Sequence, residues 1–364
     1  MAKEQHTVFS FFPPGLAVVF FLAVCLLFSG CYTLKQGTVF LGYLSKAQDL
    51  ESLLMPTDDP GETEKNRLFV ERVRDIRHFA QNDLGLLVGK NYTRYVPVDR
   101  DFLAAVVSAS AQDSFDTHLW HYPIVGALPY RGYFDVEGAK KQGEKLESSD
   151  LDVLIRGVDA FSTLGWFADP LFSFMRNYRV DQLADLIIHE SLHATVFLSG
   201  EGDFNEELAE FVGREGARLY MADRFGEDSD EYRAMLASGN DSRAFREFIQ
   251  ELIAELEVLY GSGLERETVL SEKQRIIEEA KRRFDAEYDS RFAGDSFRDF
   301  SSVPVNNAYL DLFRLYNPAD NFIEELFQRS GKTLREFVQA AGEMPRRGPP
   351  GRERLARTLG LWDD

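Results

Sequence analysis

His189-Glu190-Ser191-Leu192-His193 lies inside residues 183–198, a run of helical character without proline or glycine. Positions four apart on a helix lie one turn above each other, so both imidazoles can reach a single ion. Two histidines at this spacing fit zinc. Glu190 then stands beside the water that such an ion would activate, where a carboxylate can take its proton.

A zinc site with two histidines needs a third protein ligand and an open position. The next block, Phe204-Asn205-Glu206-Glu207-Leu208-Ala209-Glu210, supplies it, with Asn205-Glu206 opening a second helix and Glu206 as the third ligand. Glu210 follows one turn later on the same face. A carboxylate there can accept the second ring N–H of a ligating histidine and fix its tautomer; the bland alternative is a solvated glutamate on an acidic helix. Glu207 points elsewhere.

With 364 residues and 44% hydrophobic content, the chain can bury a full-sized core. Its 41 Lys and Arg against 60 Asp and Glu give a net charge of −19, which repels a phosphate backbone and anionic headgroups alike. Nucleic acid is therefore not an expected partner. Membrane attachment has to come from something other than a basic surface.

At the N-terminus, residues 15–28 form an almost unbroken apolar run, too short for a comfortable span, preceded by Lys3 and two prolines. Phe28-Ser29-Gly30-Cys31 follows and resembles the lipobox of bacterial lipoprotein precursors, with Phe28 where leucine is usual. Residues 1–30 are thus expected to be a lipoprotein-type signal peptide, Cys31 the acylated residue, and 31–364 a membrane-anchored metallopeptidase domain in the bacterial envelope, facing the periplasm or exterior. The alternative is an uncleaved apolar helix. Only Cys25 and Cys31 occur, so the processed chain carries no free thiol and needs no disulfide.

Helical spacing over 34–54 predicts an amphipathic helix ending at Pro56, and 57–66 reads as a linker before a second helix that Gly85 ends. Between residues 92 and 158 the texture turns to β-branched and aromatic runs, with strand candidates at 95–98, 104–108, 119–125, 130–134 and 153–158 and a helix at 136–148. After Pro170 the pattern is helical. A stripe of Phe245, Ile249, Leu252, Ile253, Leu256 and Leu259, broken by Gly261-Ser262-Gly263, predicts a helical hairpin at about 242–290. The stretch 346–351 reads as loose, and no internal repeat is visible.

Arg77-His78-Phe79-Ala80, the run 130–135, the run 162–166, Asp169-Pro170, the zinc motif, Phe204-Asn205-Glu206 and Asn306-Asn307-Ala308 together resemble the bacterial putative aminopeptidase family. That resemblance covers most of the mature chain. It implies a zinc peptidase with a lipoprotein-like N-terminus and an α+β, zincin-like fold: a small mixed β-sheet, an HExxH helix and a mainly helical C-terminal half. The chain is also similar to gluzincins, which implies His189 and His193 as the first two zinc ligands, Glu190 as general base, Glu206 as third ligand and Glu210 behind them. Twelve residues separate His193 from Glu206, fewer than in well-known gluzincins, so a tight turn through Gly200-Glu201-Gly202 has to close the interval.

Residues 153–158 and 160–165 lie where gluzincins place the edge strand that holds an extended substrate. For the electrophile facing the oxyanion, the resemblance favours Tyr316 over Tyr309, with Asn306, Asn307, Tyr130 and Tyr133 also available. His78, His118 and His121 have no metal spacing. The expectation is a zinc-dependent aminopeptidase acting on peptides or proteins. Two alternatives stay open: an endopeptidase on the same fold, and a zinc-stabilised, non-catalytic envelope lipoprotein that binds other components. The exopeptidase motif Gly-Ala-Met-Glu-Asn is absent.

Overall fold

The computed structural model describes residues 30–122, 126–159, 169–314 and 321–362. Two units are distinguished, one ending at Lys46 and one running from Ala47. The first contributes helix α1, Gly30–Leu44. The helix expected over 34–54 therefore stops ten residues early. Leu50 instead opens a 3-10 turn, Leu50–Leu54, whose N-cap Asp49 accepts the Glu51 N–H at 2.9 Å, and Leu50 is buried in the second unit.

Helix α2, Pro60–Asn82, begins inside the stretch read as a linker. Pro60 occupies the first turn, where a missing N–H costs nothing, and the Asp59 carboxylate caps Gly61 N–H at 2.8 Å. Phe69, Val70, Val73, Ile76 and Ala80 form its buried stripe.

Two small sheets follow. In the first, β1 (Gln48–Asp49) pairs antiparallel with β2 (Arg94–Val96), and β2 pairs parallel with β8 (Leu171–Phe172). Strand β8 corrects the helical reading after Pro170. In the second sheet, β3 (Ala104–Ala111) lies between β6 (Tyr130–Tyr133) and β7 (Leu151–Val158), antiparallel to both. A hairpin of β4 (Trp120–Tyr122) and β5 (Gly126–Leu128) completes the strands among the described residues. Alternate side chains of a strand point to opposite faces, and seven consecutive residues of β3 are buried, so both faces are covered. Helix α3, Val136–Glu147, and helix α8, Asn307–Arg314, pack on β3 and β7.

The remainder is helical: α4 (Val180–Thr195), α5 (Gly202–Phe225), α6 (Asp230–Tyr260), α7 (Arg266–Arg291), α9 (Phe322–Ser330), α10 (Leu334–Gly342) and α11 (Gly351–Thr358). Helices α6 and α7 are the expected hairpin, starting twelve residues earlier than the stripe at 242 suggested. All six stripe residues are buried, against Ile277, Phe284 and Tyr288 of α7 and Phe300. Eleven helices and small sheets make this an α+β structure, mainly helical, among the described residues. No helix among them is long and apolar enough to cross a membrane.

Candidate metal centre

Helix α4 forms because Leu183, Ala184, Ile187, Ile188, Ser191 and Leu192 bury one face, while Asp181 sits favourably in the positive first turn. Gln182 returns to accept the Arg179 N–H at 3.1 Å, half of a capping box. The chain leaves the helix at Val196 in an extended conformation. Gly200, at φ +82°, makes the reversal that a side chain would resist.

Asn205 explains how the short connection closes. Its side chain accepts the Leu198 N–H at 2.9 Å and donates to the Leu198 carbonyl at 2.8 Å, pinning the loop to the first turn of α5. Asn205 itself is buried. Helix α5 then lies directly on α4, with Gly213 and Gly216 at the contact. A Cβ on Gly213 would meet the His189 Cβ at 3.1 Å and the Asp185 carbonyl oxygen at 3.2 Å; on Gly216 it would meet the Ile188 Cγ2 at 2.9 Å. Glycine sets the close approach that lets a residue of α5 reach the histidines of α4.

That residue is Glu206. The His189 and His193 Nε2 atoms are 3.2 Å apart, Glu206 Oε1 lies 3.4 Å from His193 Nε2, and Glu206 Oε2 lies 3.6 Å from His189 Nε2. One candidate ligand atom from each of the three residues lies within 4.8 Å of the others, close enough to share a single ion. Two imidazoles and a carboxylate are also the donor set of open zinc sites. No other group of His, Cys, Asp or Glu among the described residues is placed to share an ion in this way. His193 is 2% exposed at its side chain and Glu206 62%, so the cluster is closed on the histidine side and open beside the carboxylate.

The neighbouring His189 and then His193 rings pull the Glu206 carboxyl down to about 2, below the usual carboxylate range. Burial works against protonating His189. The Glu206 hydrogen bond and the charges of Glu190, Glu206 and Asp185 outweigh it and raise the ring. Glu190 sits half-buried next to His189 on α4, its Oε2 enclosed.

Glu210 is exposed on α5 and makes no hydrogen bond to either histidine among the described residues. The His193 Nδ1 is buried without a partner among them. Asp185, one turn before His189, is the further carboxylate whose charge bears on that ring, and its four-residue spacing from His189 was the signal available in the sequence. Glu207 pairs with Arg352 at 2.8 Å.

Tyr316 lies outside the described residues, as do 160–168 and the signal-like run before residue 30. Strand β7 is an edge strand of its sheet, and its Val153 carbonyl accepts from the Asn306 side chain at 2.9 Å. Asn307 is fully buried, donating to the Ala111 and Ser114 carbonyls and accepting the Tyr260 hydroxyl at 2.7 Å. Tyr309 packs on Phe313, and burial pushes its hydroxyl up to about 12. The Asn306-Asn307-Ala308 motif thus ties α8 to the sheet and to α6. Tyr130 is exposed on β6, and the Tyr133 hydroxyl reaches Gln142 of α3. His78 contacts Asn82, and His118 packs on Trp120.

The chain matches the family described as "Putative aminopeptidase" over residues 31–356. It belongs to that family. No curated protein and no solved structure matches it.

Proposed function

We propose that this protein is a zinc-dependent peptidase of zincin-like fold that removes residues from peptide N-termini. What supports the reading is the cluster of His189, His193 and Glu206, whose candidate ligand atoms lie within 4.8 Å of one another, with Glu190 on the same helix as the two histidines. His189, His193 and Glu206 would hold the ion. Zinc bound there supplies Lewis acidity and makes water acidic enough to be deprotonated near neutral pH. Glu190 takes that proton and returns it to the leaving amine. The exposed side of Glu206 is where a peptide approaches.

The purified domain should carry about one zinc per chain, and Glu206→Ala should lose most of it, read by metal analysis after dialysis. Full occupancy in that variant would exclude Glu206 as the third ligand. Matched peptides with free and acetylated N-termini test the exopeptidase step; equal cleavage of both would make the enzyme an endopeptidase.

A lipid anchor at Cys31 is the proposed route to the envelope membrane, supported by the apolar run 15–28 and Phe28-Ser29-Gly30-Cys31. Cys31→Ala should accumulate as unprocessed precursor. Wild-type processing and detergent partitioning in that variant would rule the anchor out.

A further inference from the structure

Asp185 stands one helical turn before His189 on α4, so its side chain leaves the helix on the face that carries the first candidate ligand. That face lies against α5, where a Cβ on Gly213 would meet the Asp185 Oδ1 at 2.4 Å and the His189 Cβ at 3.1 Å. One missing side chain makes room for both residues. Asp185 is exposed to solvent, yet the protein walls it closely enough that burial lifts the carboxyl to about 6, against the charges of His189 and Arg214.

Among the described residues the Asp185 carboxylate makes no hydrogen bond and no ion pair. The charges around it are already committed or of the wrong sign. Arg214 pairs with Glu324 at 2.9 Å, Asp181 pairs with Arg179, and Glu210 adds a second exposed carboxylate. Glu190 and Glu206 have their own tasks in the proposed reaction. Asp185 is therefore the carboxylate of α4 left with neither a partner nor a task, one turn from the metal cluster.

Spacing decides what it can hold. One helical turn advances about 5.4 Å. The amine of an amino acid lies within a residue length of its own carbonyl, about 3.3–3.6 Å, and a charge-assisted hydrogen bond adds about 2.7–2.9 Å. With the carbonyl of a peptide's first residue at the histidines, these lengths bring its α-ammonium group within reach of a carboxylate one turn away. A peptide bound one residue further along would carry its amine past that carboxylate.

We propose that Asp185 is the specificity-determining residue that holds the free α-ammonium group of the substrate, so that the first peptide carbonyl meets the cluster of His189, His193 and Glu206. The proposal rests on the peptidase reading and deepens it, assigning the choice of a free N-terminus to one carboxylate.

The test uses the zinc-loaded full chain and two probes, leucine hydroxamate and N-acetylleucine hydroxamate, which offer a metal the same chelating group and differ at the amine. Calorimetry should show wild type binding the free-amine probe at least about tenfold more tightly. Asp185→Asn keeps the size of the side chain and should lose that preference while retaining its zinc and its affinity for the acetylated probe. Its kcat/KM for peptides with free N-termini should fall by a similar factor. Equal binding of the two probes to wild type, no binding of either, or a preference that survives in Asp185→Asn would overturn the proposal, even in an active peptidase. Loss of zinc from the variant would also overturn it, since it would make the carboxylate a support for His189. A wild type whose preference depends on Asp185 but which cleaves no peptide would instead retire the peptidase reading and leave the amine site standing.

Discussion

Glu190→Gln should abolish most peptide hydrolysis while leaving zinc content and thermal stability near wild type. The amide keeps the size and one acceptor oxygen of the carboxylate but cannot take a proton. Positioned general bases contribute on the order of 10²–10⁴ in rate, and that is the smallest loss expected. A non-catalytic, zinc-stabilised binding module would need His189, His193 and Glu206 as much as an enzyme does. It would have no use for a carboxylate at position 190. The comparison of wild type and variant over a broad peptide library therefore separates the two. If both hold zinc and neither cleaves, the family's name does not describe this chain's activity.

The pairing of His189 with His193 was legible because its geometry is local. His189 and His193 are one helical turn apart, and that relation survives whatever the helix packs against. Glu206 was legible only as a residue type at the start of a second helix. That it reaches the histidines depends on Asn205 bridging the Leu198 backbone and on Gly213 letting the helices touch, and neither role has a pattern of its own. The strands at 104–111, 130–133 and 151–158 were readable from β-branched runs, and α3 from its charge-rich amphipathic stretch. Leu171–Phe172 was not, because two residues carry no period and their pairing partner lies some seventy-five positions earlier. Residues 34–54 failed for the opposite reason. A helical period continued in sequence past Leu44, where the helix itself ends.

The C-terminal helix grips the start of α5, and breaking that grip should be the most destabilising single change near the site. Arg354 is 4% exposed, donates to the Pro345 carbonyl at 2.7 Å and pairs with Glu201. The other Glu201 oxygen accepts the Gly351 N–H at 2.7 Å, so one carboxylate caps α11 and neutralises its arginine. A Cβ on Gly351 would come within 2.6 Å of the Phe204 ring, which shows how closely α11 is packed on the turn that begins α5. Glu201→Ala leaves the guanidinium buried with one carbonyl for company and strips the cap from α11. Removing one partner of a buried pair costs roughly 3–5 kcal/mol, a large share of the 5–15 kcal/mol that holds a typical domain. The urea midpoint should fall accordingly. Adding Arg354→Met to Glu201→Ala should recover part of the loss, because the stranded charge is then gone. Because Glu206 lies on the same first turns of α5, zinc should also leave the Glu201→Ala variant faster than wild type under a chelator. An unfolding free energy within about 1 kcal/mol of wild type would mean that water reaches Arg354 and that the C-terminal helix does not set the position of Glu206.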